Sequence, residues 1–107
     1  MTPRPRHVIV MTTVADPETA RMIARALVEQ RLAACVHIHE IDSVYRWNDD
    51  VHEDKEWRVM VKTTRAASER AYAAIHALHP YDLPALVTID LHDVDIEYAA
   101  WIDASVA

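Results

Sequence analysis

The chain has 107 residues, of which 51% are apolar, and it contains no glycine and no phenylalanine. This length suits one compact domain, and the lack of glycine excludes standard P-loop and dinucleotide sites, whose backbone must approach phosphate closely. With 17 acidic residues against 11 basic ones, the chain is expected to bind neither nucleic acid nor an anionic membrane.

Cysteine usage gives no indication of an oxidising compartment. Cys35 is the single cysteine, so an intrachain disulfide cannot form. Residues 1–6 carry two prolines and are predicted to be a frayed tail, without a signal-type apolar segment. We therefore expect a cytoplasmic protein with a single domain over residues 1–107.

The N-terminal part predicts a strand followed by a helix. Residues 8–11 form an apolar, largely β-branched run that is typical of a strand covered on both faces. Asp16, Pro17 and Glu18 provide an N-cap, a first-turn proline and a favourable acid for a helix that ends near Arg31. Its predicted buried face comprises Ala20, Ile23, Ala24, Leu27 and Val28.

A long hairpin is predicted next. The period changes to two from Ala33 to Trp47, with a bend near 40–42, and Asn48-Asp49-Asp50 provides turn residues before a return strand over 52–63. Arms of about 12 to 15 residues reach about 40 Å or more. Such a ribbon exceeds a small core, which predicts an oligomer built through strand edges. The alternative is a ribbon that folds back on its own domain at the bend.

The remaining elements complete an α+β order. A helix is predicted from near Thr64 to His79-Pro80, because a residue before proline avoids helical geometry. A loop over 81–84, a strand over 85–91 and a final helix from Asp95 follow. The order βαββαβ plus a C-terminal helix is typical of a ferredoxin-like sandwich. The second helix is predicted to have an apolar stripe, and the final helix carries three large residues on one side. These residues are Ala67, Ala71, Ile75 and Leu78 in the second helix and Tyr98, Trp101 and Ile102 in the final helix.

Three side chains on the first hairpin arm are candidate metal ligands. Cys35, His37 and His39 share one strand face at i, i+2 and i+4. Thiolate and imidazole suit copper or zinc, although the nearly 7 Å between neighbours favours a pair over all three. In the alternative, Cys35 is a buried hydrophobe and the histidines line a subunit contact.

A second candidate site lies around the loop that follows the second helix. His79 and Lys62 are predicted at one edge of the domain, with Tyr45, Trp47 and Tyr81 lining a pocket there. The alternatives are that His76 and His79 complement the helix dipole, and that the aromatic residues are core or interface anchors. The acidic stretch Glu53, Asp54 and Glu56 is interpreted as a solvated hairpin tip. No serine or cysteine has a nucleophilic context, so an enzyme is not expected.

Several motifs resemble those of a known family. They are Glu29 to Val36, Ser43 to Trp47, Lys62-Thr63-Thr64 and His79 to Pro84, in the order and spacing of the divalent-cation tolerance family called CutA. The resemblance spans about residues 8–103. It implies a ferredoxin-like protomer in a tight homotrimer similar to PII signalling proteins, divalent-cation binding with a role in copper tolerance, and no established reaction.

The resemblance also assigns residues by position. Cys35 matches the characteristic cysteine of the family, and Asp82 stands where glutamate is usual. Trp47, Lys62, His79 and Tyr81 match residues around a cleft between subunits.

This sequence departs from the family pattern at three places in the hairpin. His37 replaces an asparagine, one residue is missing near Glu40 and Ile41, and Asn48-Asp49 replaces a glycine-containing turn. The pairing of His37 with His39 is therefore a feature of this sequence.

Two functions are considered. In the first, the protein is a divalent-cation tolerance protein that binds Cu(II) or Zn(II) through Cys35 with His37, His39 or His79. In the second, it is a PII-like sensing module whose intersubunit cleft takes an anionic small molecule, with Trp47, Lys62, Tyr81, Asp82 and Tyr45 as cleft residues. A trimer that anchors other proteins is a third interpretation.

Overall fold

A computed structural model describes residues 3–107 and shows seven regular elements in that range. They follow the predicted order, and most predicted boundaries are correct to within three residues. The elements are β1 His7–Val14, α1 Pro17–Glu29, β2 Cys35–Trp47, β3 Asp50–Thr64, α2 Arg65–Leu78, β4 Leu86–Asp90 and α3 Ile96–Ser105.

The four strands form one antiparallel sheet in the order β2-β3-β1-β4. This order confirms the predicted ferredoxin-like, PII-like α+β fold. Helices α1 and α2 pack on one face of the sheet, where alternate β-branched side chains meet helix residues in the core. That core includes Val8, Val10, Val14, Ile23, Leu27, Val59, Val61, Ala71 and Ile75.

The opposite face of the sheet, which we call the open face, carries the other alternate side chains. Helix α3 reaches it through Tyr98, whose hydroxyl accepts a hydrogen bond from Lys62 Nζ at 3.2 Å. Ile102 is fully buried, whereas Tyr98 and Trp101 stack on each other and stay exposed. Of the three residues predicted on one side of this helix, only Ile102 is therefore packed within a single chain.

The hairpin of β2 and β3 is a continuous ladder. Its pairing runs without interruption from Cys35 opposite Lys62 to Trp47 opposite Asp50, through the region where a bend was predicted. Asn48 and Asp49 form the two-residue turn with φ of 52° and 66°. Asparagine and aspartate tolerate this left-handed conformation better than most residues, so the turn forms without glycine.

Helix α1 ends on a left-handed residue as well. Arg31 has φ of 60°, and the bonds Arg31 N to Val28 O and Leu32 N to Leu27 O form a Schellman motif. The predicted face of α1 is wrong at Val28, which is 43% exposed because it points away from the sheet.

The inner end of the predicted frayed tail is held by the domain. Arg65 Nε donates to the Pro5 carbonyl at 2.7 Å, and Arg6 forms an ion pair with Asp103 at 3.3 Å. Residues 5 and 6 therefore have fixed partners, while the tail residues Met1 and Thr2 lie outside the described residues.

Candidate functional site

The first site is a close pair of side chains at the start of β2. Cys35 Sγ lies 3.5 Å from His37 Nε2, on the open face of the sheet. The strand places both side chains on this face because they are two residues apart. Cys35 is half-buried and His37 is exposed, so the pair is accessible from solvent in the single chain.

His39 continues the same strand face but is not bonded to the pair. It is exposed, and its cross-strand partner is Arg58. Within residues 3–107, no three His, Cys, Asp or Glu side chains converge closely enough to hold a metal ion by themselves. The structure thus brings together two of the predicted ligands, Cys35 and His37.

His79 lies far from this pair and has a structural role. Its ring is buried, Nδ1 accepts a hydrogen bond from the Tyr81 N–H at 3.1 Å, and Nε2 donates to the Thr13 carbonyl at 2.8 Å. Since both ring nitrogens are occupied, a metal ion could bind His79 only by displacing at least one of these hydrogen bonds. The expectation that His79 joins the Cys35 ligand set is therefore not met in this chain.

The second site is a cleft between the far half of the hairpin and the loop after α2. This open cleft has a volume of about 1020 Å³. Four of the predicted cleft residues line it, namely Tyr45, Trp47, Tyr81 and Asp82. The other lining residues are Thr13, Asp42, Ser43, Val44, Glu56, Pro80, Leu83, Pro84 and Ala85.

Two tyrosines in the cleft donate hydrogen bonds to carboxylates of β3. The Tyr45 hydroxyl donates to Asp54 at 2.5 Å, and the Tyr81 hydroxyl donates to Glu56 at 3.2 Å. Burial and the negative charge of Glu56 raise the pKa of Tyr81 to about 12, and the hydrogen bond to Asp54 raises the pKa of Tyr45. Both phenols therefore stay protonated at neutral pH.

Lys62 does not line this cleft within one chain. It was expected at the same edge as the loop because only α2 separates them. Helix α2 is 14 residues long and spans about 20 Å, so its two ends lie at opposite edges of the domain. Lys62 instead lies on the open face, with Nζ 5.2 Å from the ring centre of Tyr98.

Sequence reasoning predicted Asp82 in the cleft but missed its other two acidic residues, Asp42 and Glu56. Glu56 was interpreted as part of a solvated tip, yet it lies against Tyr81, while Asp42 contributes from the facing arm. Pairing the strands from the turn outward puts Ile41 opposite Glu56, and this register was the available signal. Among the described residues no basic side chain lines the cleft, and this lining opposes an anionic ligand.

Comparison with known proteins identifies the family. Residues 8–105 match the family described as CutA1 divalent ion tolerance protein. The chain belongs to the CutA1 family. The Divalent-cation tolerance protein CutA of Thermus thermophilus is 44% identical over 95 residues, covering 88% of this chain and 92% of the relative. The protein of the same name from Thermotoga maritima is 38% identical, covering 92% and 98%.

Solved CutA1 structures share the whole fold. CutA1 from Shewanella sp. SIB1 superposes with a TM-score of 0.93 at 28% identity, covering 97% of this chain and 98% of the other. The T. thermophilus protein superposes with a TM-score of 0.90 at 41% identity, covering 94% and 99%. The family description names tolerance to divalent ions and no reaction. The function that the family gives this chain is therefore divalent-cation tolerance.

One structural neighbour bears on cellular location. This protein from Archaeoglobus fulgidus, 31% identical with a TM-score of 0.92 over 94% of this chain and 99% of the other, is described as a periplasmic divalent cation tolerance protein. In the part of this chain that the structure describes, every helix is too short or too polar to cross a membrane.

Proposed function

We propose that this CutA1 protein binds a Cu(II)- or Zn(II)-type ion through Cys35 and His37 as its contribution to divalent-cation tolerance. The observation that carries this proposal is the 3.5 Å separation of Cys35 Sγ and His37 Nε2. Zinc bonds of about 2.3 Å to sulfur and about 2.0–2.1 Å to nitrogen, at a tetrahedral angle, put the two ligand atoms about 3.6 Å apart. The pair therefore has the ligand spacing of a tetrahedral site before any metal binds.

Two ligands from one chain leave a tetrahedral site incomplete. Water fills the open positions in one arrangement, and side chains of other subunits fill them in another. His39, two residues further along the same face, is exposed and is the next ligand available on this strand. We include it as an auxiliary ligand in the proposal.

A homotrimer is part of the same proposal. The open face carries exposed apolar side chains that helices α1 and α2 do not cover, among them Val87 and Ile89, and Trp101 of α3 is exposed as well. Large exposed apolar patches usually mark protein interaction sites. Strands β2 and β4 also present free edges, which a neighbouring subunit can pair. The open face, which carries the Cys35–His37 pair, then lies inside the assembly.

The trimer has a direct test. Light scattering should give a mass three times the 12.2 kDa of the chain. Ile89→Lys, on the open face, should lower this mass because it buries a charge in the contact. Glu69→Lys, on the exposed side of α2, is the matched control and should leave the mass unchanged. A monomeric parent protein would contradict the proposal.

We also propose a cytoplasmic location, on the ground that the chain has one cysteine, which is free. Fractionation of cells that express the protein with its natural N-terminus tests it. Recovery of the protein with a periplasmic marker would contradict it.

Metal binding is tested by titrating purified, tag-free protein with Cu(II) and Zn(II) against a competing chelator. The parent protein should bind about one ion per chain, and Cys35→Ser and His37→Ala should each weaken binding by at least about tenfold. His92→Ala is the matched control, because the His92 side chain is almost fully exposed on a loop. Equal binding by the parent protein and the Cys35→Ser, His37→Ala double variant would overturn the proposal.

A further inference from the structure

The cleft between the hairpin and the loop after α2 combines two kinds of wall. Three large aromatic side chains line it and are exposed in the single chain, with Trp47 at 49%, Tyr45 at 40% and Tyr81 at 36%. Three carboxylates line it as well: Asp42, Glu56 and Asp82. Three of the seven aromatic residues of the chain are thus gathered at one acidic cleft.

The carboxylates leave a net negative charge in the cleft. Asp42 has a cationic partner, because Lys55 Nζ lies 3.2 Å away. Glu56 and Asp82 form no ion pair within residues 3–107; Glu56 accepts only the Tyr81 hydroxyl bond, through one of its two oxygens. Acceptor positions on two carboxylates therefore remain open to a ligand.

The tyrosine rings are held in place. Tyr45 stacks on His52 with ring centres 5.5 Å apart, and Tyr81 lies against the buried ring of His79 at 4.8 Å. Their hydroxyls are fixed on Asp54 and Glu56. Rings held in this way can present an aromatic face to a cation with little loss of side-chain entropy.

We propose that this cleft is a binding site for a small organic ammonium cation. Ammonium groups are attracted to aromatic faces, and a primary ammonium also donates to carboxylates such as Glu56 and Asp82. A volume of 1020 Å³ is in the range of small-molecule sites and far larger than a bare ion requires. Its wall of tyrosine, tryptophan, leucine and proline favours a ligand that carries hydrocarbon.

This site is separate from the Cys35–His37 pair. Cys35 and Tyr45 are ten positions apart on one extended strand, a separation of about 33 Å along the ribbon. The two proposals therefore stand or fall independently, and Cys35→Ser should leave binding at the cleft unchanged.

The test uses 1,4-diaminobutane as the probe and 1,4-butanediol as its uncharged counterpart. Nitrogen-15 NMR of the intact protein follows the three indole N–H signals, with Trp57 and Trp101 as internal references because neither lines the cleft. The diamine should shift the Trp47 signal in a saturable way, and the diol should not. No shift, or an equal shift with the diol, would overturn the proposal, including the case in which another subunit fills the cleft.

Variants separate the site from general attraction to an acidic protein. Glu56→Gln keeps an acceptor for the Tyr81 hydroxyl and removes one charge, and it should weaken diamine binding at least about tenfold, which corresponds to about 1.4 kcal/mol. Glu69→Gln makes the same change on the exposed side of α2 and should leave the affinity within about twofold. Equal weakening by both variants would show that net charge alone is responsible and would overturn the proposal.

Discussion

The left-handed end of helix α1 supports a prediction that compares two substitutions at one position. Arg31 has φ of 60°, a conformation that costs a residue with a side chain about 1–2 kcal/mol and costs glycine nothing. Glycine in turn loses about 0.5–1 kcal/mol more backbone entropy on folding than alanine. Arg31→Gly should therefore be more stable than Arg31→Ala by about 1 kcal/mol, the reverse of the usual order.

The hydrogen bonds of the Arg31 side chain determine how stable both variants are relative to the parent protein. Its Nη2 donates to the Ala104 carbonyl at 2.7 Å and its Nε donates to the Ser105 carbonyl at 3.4 Å. These bonds are exposed, so their loss should cost about 1 kcal/mol. Arg31→Ala should thus be destabilised by about 1 kcal/mol, while Arg31→Gly should have nearly the parent stability.

Urea unfolding measures this difference at one fixed protein concentration, because association of subunits would otherwise shift the midpoint. Glu69, in the middle of α2, is the matched control. There Glu69→Gly should be less stable than Glu69→Ala by about 1 kcal/mol, as in any exposed helix interior. If Arg31→Gly is also the less stable member of its pair, the assignment of left-handed strain at Arg31 is refuted.

Three further predictions concern the turn, the last helix and acid stability. Asp49→Gly, at φ of 66° in the hairpin turn, should raise stability by about 0.5–1 kcal/mol in thermal unfolding; a lower melting temperature would contradict it. Ile102→Ala should cost about 2–5 kcal/mol in urea unfolding because the side chain is fully buried, whereas Ile96→Ala, at 86% exposure in the same helix, should change stability by less than about 0.5 kcal/mol; equal losses would contradict the placement of α3. The hydrogen bond from His7 lowers the pKa of Asp103, so this carboxylate stabilises the fold above the pKa it has when unfolded, about 3.9. Asp103→Asn should therefore be destabilising at pH 6, with a difference that shrinks as the pH falls towards 3; a difference independent of pH would contradict this role.

The fold was predictable because local patterns and topology rules agree. Three local signals locate elements: the period of two in β2, the N-cap of α1 at Asp16, and the proline at position 80 after α2. The order βαββαβ then allows few arrangements of these elements in space. Val28 was misplaced because helical spacing defines an apolar stripe but not its width against a particular sheet. The unbroken ladder through Ile41 was missed because the apolar alternation loses its phase at Glu40 and Ile41, whereas backbone pairing does not depend on that alternation.

The sites were predictable in part, from spacing along one strand for Cys35 and His37 and from topology and family resemblance for Tyr45, Trp47, Tyr81 and Asp82. Cys35 and His37 share a strand face by spacing alone, and their approach follows from rotamers that no pattern specifies. Glu56 lines the cleft because strand register places it there and the loop after α2 brings Tyr81 to it. These two residues are 25 positions apart in the sequence. Lys62 was assigned to the wrong edge because the length of α2 was not used to separate its ends.

The most direct test of the proposed metal site is X-ray absorption at the zinc edge on protein loaded with one Zn(II) per chain. We expect one sulfur at about 2.3 Å together with nitrogen or oxygen ligands at about 2.0–2.1 Å, and loss of the sulfur contribution in Cys35→Ser. A first shell of nitrogen and oxygen alone in the parent protein would contradict binding through Cys35.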